Sequence, residues 1–243
     1  MGASAPGGST AYRATAMGGT AYGGLIFDLN GVLWWDSHLQ EQAWSNFSAR
    51  LRGRLLSPAE MAVHVHGRPN RHTLAYLLGR PLAPGEEQQL GEEKERIYRR
   101  LCLAQGDDFC LSPGAVELLD FLATRSIPRT IATASGRQNL DFFLAHLGLA
   151  RWFDPDRIVY DDGTRPGKPA PDVYLTAAQR LDLAPARCVV VEDALSGIQA
   201  ARAAGIGCIV ALGPPEKHSA LAALDGVDTV VESLAQLPIH PRL

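Results

Sequence analysis

The 243-residue sequence carries little excess charge and no long apolar run. Its 23 basic and 26 acidic side chains leave a formal net charge of −3, which gives no electrostatic reason to expect nucleic acid or an acidic membrane as a partner. No apolar stretch reaches the roughly 18 residues of a spanning helix, and the N-terminus lacks the pattern of a secretion signal. We therefore expect a cytoplasmic protein with small-molecule ligands and no nucleic-acid or membrane partner. The oligomeric state is not predicted.

Cysteine is also scarce, with four residues and no C-x-x-C pair. Three of the four fall in apolar segments, where a small buried thiol is the ordinary expectation, so we interpret them as reduced and structural. Residues 1–22 consist largely of Gly, Ala, Ser and Thr with almost nothing to bury, which predicts a disordered tail. The remaining length suits one large α/β domain, or a domain that carries an inserted module.

Short apolar runs that end at polar side chains predict buried strands. The runs and the residues that follow them are Leu25–Phe27 with Asp28, Thr130–Ala134 with Ser135, and Cys188–Val191 with Glu192 and Asp193. A helix-like stretch follows each run, and strands that alternate with helices indicate parallel βαβ units. We therefore predict an α/β fold, a Rossmann-like doubly wound parallel sheet built from residues 23–36 and 112–243.

The segment 37–111 has helical periodicity and no convincing strand. Ser57 to Glu60 form a capping box with Pro at the first helical position, which predicts a helix start. Residues 86–102 place Glu92 with Arg96 and Glu95 with Arg99 at i,i+4 spacing, beside an apolar stripe of Leu90, Ile97 and Leu101. We interpret this charge run as a solvated helix face. An all-helical module is thus predicted to interrupt the sheet after its first strand.

The polar residues at the predicted strand ends should meet, since ligands of open parallel sheets bind outside the carboxyl ends of the strands. Burial of the adjacent carboxylates Glu192 and Asp193 is costly unless a cation compensates them, and Mg²⁺ prefers such oxygen ligands. The alternatives are that Asp28 and Asp193 only cap helices and that Glu192 is solvated. Lys168, in a Gly- and Pro-rich loop, is either a surface lysine or a point charge that stabilises a phosphoryl group.

Four segments together resemble, in order and spacing, the motifs of the haloacid dehalogenase superfamily. They are Phe27 to Leu33, Ser135, Gly167 to Asp172, and Val191 to Ile198. The match spans residues 24 to about 235, and the helical insertion resembles the small cap of the subgroup that contains β-phosphoglucomutase and phosphoglycolate phosphatase.

The resemblance implies a role for each matched residue. Asp28 would be the nucleophile that forms an aspartyl-phosphate, Ser135 would hydrogen-bond the phosphoryl group, and Lys168 would steady both. The Mg²⁺ ligands would be Asp28, the backbone carbonyl of Asn30, Asp193 and, directly or through water, Glu192. In the cap, Arg68 and Arg71 resemble part of a specificity loop that grips a distal anionic group, with a solvated basic loop as the alternative. Gly31 and Asn139 complete the expected substrate-binding set.

Asn30 departs from the pattern, because phosphatases of this family have an aspartate at that position. An amide cannot give up a proton at neutral pH, so loss of this acid–base step is expected to cost on the order of 10²- to 10⁴-fold. The asparagine therefore indicates a good leaving group, an engineered substrate trap, or a chain that binds without turnover.

We predict a Mg²⁺-dependent phosphatase of a small phosphorylated metabolite, with a catalytically impaired phospho-ligand-binding pseudoenzyme as the rival. A phosphomutase is disfavoured because Gln40 aligns with the expected hinge histidine, although His38 is near. A 2-haloacid dehalogenase is disfavoured because Glu192, Asp193 and Lys168 retain a metal-and-phosphate arrangement that halide displacement does not require.

Overall fold

The computed structural model describes residues 22–65, 68 and 70–237. The predicted disordered tail lies outside these residues except for Tyr22, whose hydroxyl donates a hydrogen bond to the Gly207 carbonyl at 3.1 Å. Within the described part of the chain, no helix combines the length and the apolar character that crossing a membrane requires.

The described residues form a six-stranded sheet in which every pairing is parallel. In chain order, the strands are β1 (Gly24–Phe27), β2 (Arg129–Gly136), β3 (Val159–Asp161), β4 (Cys188–Glu192), β5 (Cys208–Leu212) and β6 (Thr229–Val231). Their spatial order is β3-β2-β1-β4-β5-β6, so the direction of winding reverses beside β1. The prediction of a doubly wound α/β fold is confirmed.

Helices cover both faces of the sheet, which is why its central strands are apolar on both sides. Leu25 and Phe27 of β1 point into one apolar cluster and Ile26 points into the other. The core helices are α5 (Ala115–Thr124), α6 (Arg137–His146), α7 (Asp172–Arg180), α8 (Leu195–Ala203) and the short α9 (His218–Ala222). Because successive strand residues alternate between the faces, each strand is held by both layers.

Four further helices lie between β1 and β2, in the segment predicted to be a cap. They are α1 (Ser37–Arg52), α2 (Pro58–His64), α3 (Asn70–Leu78) and α4 (Glu86–Leu103). They share an apolar cluster of their own, which includes Trp44 and Phe47. The capping box at the start of α2 is formed as predicted, with Ser57 and Glu60 bonded reciprocally.

Helix α4 differs from the prediction in its orientation. Its buried residues are Gly91, Lys94, Tyr98 and Cys102, whereas the predicted apolar stripe of Leu90, Ile97 and Leu101 is only half-buried. Arg99 pairs with Glu92 rather than with Glu95. The predicted i,i+4 pairs and the solvated face were therefore wrong in part, because α4 is rotated by about one residue, roughly 100°, and turns polar side chains inward.

Candidate active site

The carboxyl ends of β1, β2 and β4 bring four predicted residues to one edge of the sheet. Asp28 directly follows β1 and is fixed by its backbone N–H, which donates to the Val191 carbonyl at 3.0 Å. Glu192 ends β4, Asp193 comes next, and Ser135 is the last residue but one of β2. One carboxylate oxygen from each of Asp28, Glu192 and Asp193 lies within 4.8 Å of the other two. The predicted convergence is thus present in the geometry.

Lys168 reaches this edge from the loop between β3 and α7. Its Nζ donates to Asp28 Oδ1 at 2.8 Å and to Glu192 Oε1 at 2.6 Å, and it lies 5.0 Å from the centre of the Tyr174 ring. The lysine side chain is 8% exposed, so it is not a surface lysine. One ammonium therefore bridges two buried carboxylates and holds them at a fixed separation.

Glu192 is pinned on its other side by the start of α8. Its Oε2 accepts from the backbone N–H groups of Asp193 and Ala194, both at 2.8 Å, and Tyr174 donates its hydroxyl to Oε1 at 3.0 Å. A Cβ on Gly197 would lie 1.5 Å from Glu192 Oε1, so this position admits only glycine beside the carboxylate. Glu192 is 1% exposed, and the alternative of a solvated glutamate does not hold.

The electrostatics of this cluster favour a bound cation. Burial raises the pKa of Asp28 to about 7, with Lys168 opposing the rise and Glu192 adding to it. The pKa of Asp193 is raised well above its ordinary value by burial first and then by the charges of Glu192 and Asp28. Asp28 and Asp193 thus resist ionisation beside the buried Glu192 carboxylate, and three carboxylates placed together are the donor set that a hard divalent ion such as Mg²⁺ takes. The residues present therefore fit the predicted metal.

The backbone of Gly31 lies close to the Asp193 carboxylate. A Cβ on Gly31 would lie 2.0 Å from Asp193 Oδ2, and Gly31 has a φ of +81°. Only a glycine accommodates both the left-handed backbone and the nearby carboxylate. Gly31 thus lets the turn after β1 press against Asp193 and lines the cavity, as a substrate-binding position would require.

Asn30 is engaged by its own set of partners. Ser135 Oγ donates to its Oδ1 at 2.8 Å, and its Nδ2 donates to Asp36 Oδ2 at 2.8 Å. Asp36 is 1% exposed and also receives a hydrogen bond from the Tyr98 hydroxyl at 2.6 Å. Burial raises the pKa of Asp36, while these hydrogen bonds lower it.

Sequence reasoning missed the residues around Asn30, namely Asp36, Gln40, Lys94 and Tyr98, as members of one network. From the sequence, residue 36 was named only as the end of the first segment of the α/β core. Gln40 was named only as the residue that aligns with the expected hinge histidine. Gln40 donates to Asp36 Oδ2 at 3.2 Å and accepts from Lys94 at 2.6 Å. The available signal was the spacing of Lys94, Tyr98 and Cys102, which places the three on one face of a helix.

A cavity of about 1100 Å³ opens above the sheet edge, between the core and helices α1, α3 and α4. Asn139 lines it, but its side chain is occupied: Oδ1 accepts from Arg99 at 2.6 Å and Nδ2 donates to Glu95 at 2.8 Å. Arg68 and Arg71 are not among its lining residues. Arg68 donates to the Val63 carbonyl at 3.2 Å, and Arg71 lies 3.5 Å from Glu87. Residues 66, 67 and 69 of the predicted specificity loop lie outside the described residues.

Comparison with known proteins agrees with this geometry. Residues 22–205 match the family of haloacid dehalogenase-like hydrolases. The chain is 33% identical over 216 residues to hexitol phosphatase A of Escherichia coli (strain K12), covering 89% of this chain and 93% of that one. It is 31% identical to the fructose-1-phosphate phosphatase YqaB of the same organism, covering 77% and 95%.

A solved structure is also similar over most of its length. The family IA, variant 3 hydrolase from Entamoeba histolytica HM-1:IMSS superposes with a TM-score of 0.84 at 33% identity, covering 89% of this chain and 95% of that one.

Proposed function

Because the chain belongs to the haloacid dehalogenase-like hydrolases and is similar to phosphatases, we propose that it hydrolyses a small phosphorylated metabolite with Mg²⁺ through an aspartyl-phosphate on Asp28. One observation supports this most strongly. Lys168 joins Asp28 to Glu192 inside a cluster of three carboxylates at a sheet edge that opens into a large cavity. This arrangement offers a nucleophile, a fixed positive charge and a cation site in one place.

In the proposed reaction, an oxygen of Asp28 attacks phosphorus as the bond to the ester oxygen breaks. The leaving alkoxide takes a proton from solvent water, because the Asn30 amide cannot supply one. A water molecule then attacks the phosphorus of the aspartyl-phosphate and gives its proton to solvent, which breaks the bond to the Asp28 oxygen, releases phosphate and restores Asp28. Lys168 stabilises the negative charge that develops on the phosphoryl oxygens. Ser135, which donates to Asn30 here, would turn its hydroxyl to the phosphoryl group when substrate binds.

The metal ligands are proposed to be Asp28, the carbonyl of Asn30, Asp193 and Glu192. Mg²⁺ bound there supplies charge neutralisation for the transferring phosphoryl group. Glu192, held by Lys168, Tyr174 and two backbone N–H groups, has few free lone pairs. Its contribution would therefore come mainly through its charge or through a bridging water.

The substrate is proposed to be a sugar or polyol monophosphate. Side chains with amide groups are prominent on the cavity wall, and amides both donate to and accept from hydroxyl groups. Besides Asn30 and Asn139, they are Gln40, Asn70, Gln88, Gln89 and Gln138. The relatives named above are phosphatases of a hexitol phosphate and of fructose 1-phosphate, which agrees with this lining.

Helices α1–α4 are proposed to form a cap that selects the substrate. Residues of α1, α3 and α4 line the wall opposite the sheet edge, and α4 meets the core through the pairs Arg99–Asn139 and Asn139–Glu95. A cap that closes over the site would exclude water from the aspartyl-phosphate.

The test is a screen of sugar and polyol phosphates with and without Mg²⁺. We expect Mg²⁺-dependent phosphate release that Asp28→Asn abolishes, whereas Asp107→Asn, at an exposed carboxylate, leaves it unchanged. Acid quench of a reaction with ³²P-labelled substrate should trap label on the parent protein and not on Asp28→Asn. Turnover that persists in Asp28→Asn, or that needs no metal, would contradict the mechanism.

A phospho-ligand-binding pseudoenzyme is the second candidate, and Asn30 favours it, since its amide cannot serve as an acid. Calorimetric binding of a sugar phosphate, without phosphate release from any ester in the screen, would support this candidate over the phosphatase.

A further inference from the structure

The side chain of Asn30 is satisfied at every polar position. A primary amide has two donor hydrogens and one acceptor oxygen. Its Nδ2 donates to Asp36 Oδ2 at 2.8 Å and to the Tyr98 hydroxyl at 3.2 Å, while Oδ1 accepts from Ser135 at 2.8 Å. The Tyr98 proton is directed to Asp36, so the phenolic oxygen faces Asn30 as an acceptor. The pocket therefore has the hydrogen-bonding complement of an amide.

Asp36 determines which way this amide points. If the amide were turned over, Oδ1 would face the Asp36 carboxylate and a hydroxyl oxygen whose proton is already donated. The Asp36 carboxylate cannot move aside easily. Its Oδ1 accepts from the Gly31 backbone N–H at 3.1 Å, and its Oδ2 accepts from Gln40 at 3.2 Å. The carbonyl of Asp36 also accepts from the N–H groups that begin α1. Asp36 is thus a rigid acceptor aimed at position 30.

A carboxylate at position 30 would meet an unfavourable environment. Ionised aspartate offers only acceptors, so an aspartate in the place of Asn30 would bring two carboxylates to about hydrogen-bond distance with one Tyr98 proton between them. Both groups are largely buried, where like charges repel more strongly than in water. The partner that makes asparagine fit here is therefore the one that would make aspartate unfavourable.

We propose that Asp36 is a positioning residue for residue 30, and that Asn30 and Asp36 form a matched pair in which an acid at position 30 functions only when position 36 carries an amide. Tyr98 belongs to α4, so the pair also ties residue 30 to the helical unit above the cavity. The kinetic part of this inference rests on the proposed phosphatase function, and its stability part does not.

The test is a double-mutant cycle of the full chain, with the parent, Asn30→Asp, Asp36→Asn and the double variant. Unfolding free energies are measured in metal-free buffer near pH 8, and kcat/KM is measured with Mg²⁺ on an alkyl phosphate and an aryl phosphate. We expect both single variants to have lower unfolding free energies than the parent. The loss in the double variant should be smaller than the sum of the two single losses. Asn30→Asp alone should give no gain on the alkyl phosphate. The double variant should exceed Asn30→Asp by roughly 10²-fold there, with little change on the aryl phosphate.

Asn70→Asp is the matched control, because it adds the same charge to the cavity wall without touching Asp36. Combined with Asp36→Asn, it should be additive in stability. Additive stability effects for Asn30→Asp with Asp36→Asn would overturn the matched pair. So would an alkyl-specific gain from Asn30→Asp alone at undiminished stability.

The stability cycle and the Tyr98 hydroxyl provide tests that do not need turnover or a folded double variant. If no member of the set releases phosphate, the proposed function fails, while the stability cycle still decides whether residues 30 and 36 are coupled. If the double variant does not fold, Tyr98→Phe takes the place of Asp36→Asn. Loss of the shared hydroxyl should then enlarge the penalty of Asn30→Asp, and an unchanged penalty would overturn the proposal.

Discussion

Replacement of Lys168 by methionine should destabilise the metal-free protein strongly. The ammonium bridges Asp28 and Glu192, and the side chains of these three residues are 8%, 11% and 1% exposed. Methionine retains most of the volume but leaves two buried carboxylates without their cation. Loss of one partner of a buried ion pair costs about 3–5 kcal/mol, and these exposures are low enough that solvent screening offers little relief.

The expected change in melting temperature follows from this range. For a domain of this size, 1 kcal/mol corresponds to about 2–4 °C, so Lys168→Met should melt roughly 6–20 °C below the parent. Calorimetry near pH 8 in the presence of a chelator measures the difference. Lys217→Met, at an exposed lysine, is the control and should stay within about 0.5 kcal/mol of the parent.

Magnesium should separate the two contributions of Lys168. A divalent cation at the three carboxylates replaces part of the lost positive charge, so Mg²⁺ should raise the melting temperature of Lys168→Met more than that of the parent. Phosphate release should stay low even with Mg²⁺, because no ammonium faces the phosphoryl oxygens. A metal-free Lys168→Met within about 1 kcal/mol of the parent, against the 3–5 expected, would refute the view that this lysine holds the cluster together.

Two further predictions concern the same carboxylates. Because burial raises the pKa of Asp28 from 3.8 to about 7, the folded metal-free protein binds this proton more tightly than the unfolded chain. Its contribution should therefore lower stability by up to about 1.4 kcal/mol per pH unit as pH rises between roughly 4 and 7. Asp28→Asn should flatten that slope in denaturation curves, and identical slopes would contradict it. Gly197→Ala should displace Glu192, lower Mg²⁺ affinity in calorimetric titration and destabilise the protein by about 1–3 kcal/mol. The control is Gly91→Ala, whose Cβ would find its nearest neighbour at 3.8 Å and which should not destabilise the protein. Unchanged Mg²⁺ affinity in Gly197→Ala would contradict the displacement of Glu192.

The sheet and its polar edge could be predicted because they depend on local patterns. Short apolar runs specify buried strands, and a parallel arrangement brings their carboxyl ends together whatever the details of packing. Asp28, Glu192 and Asp193 follow such runs directly, so the sequence alone places them at one edge.

The orientation of α4 could not be predicted in the same way. Its stripe of Leu90, Ile97 and Leu101 is as regular as the buried stripe that includes Tyr98 and Cys102, and the two differ by a rotation of one residue, roughly 100°, about the helix axis. Packing against α1 and α6 decides between them, and that packing joins residues far apart in the chain. Lys94 was therefore assigned to a solvated face, although its side chain is 3% exposed.

The role of Asp36 was hidden for a related reason. Besides Gln40, which stands four residues later, its partners are Asn30 and Gly31, six and five residues earlier, and Tyr98, 62 residues later. The spacing to Gln40 fits a helix, but that of the other three does not. No spacing rule for a helix or strand connects such positions. An asparagine in place of an expected aspartate can be recognised from the sequence, but whether its surroundings suit an amide is decided by contacts across the cavity.

The charge of the site links metal binding to substrate binding. Among the described residues at the sheet edge, Asp28, Glu192 and Asp193 oppose the single ammonium of Lys168. A phosphate dianion that approached this edge alone would add negative charge beside Asp28 and Asp193, whose raised pKa values show that this partly desolvated site already disfavours such charge. Once a divalent ion neutralises the carboxylates, Lys168 is free to attract the dianion. On this reasoning the protein's own residues are arranged to bind a phosphate ester only together with a cation, which is why the metal-free protein should bind substrate weakly even if Asn30 allows no turnover.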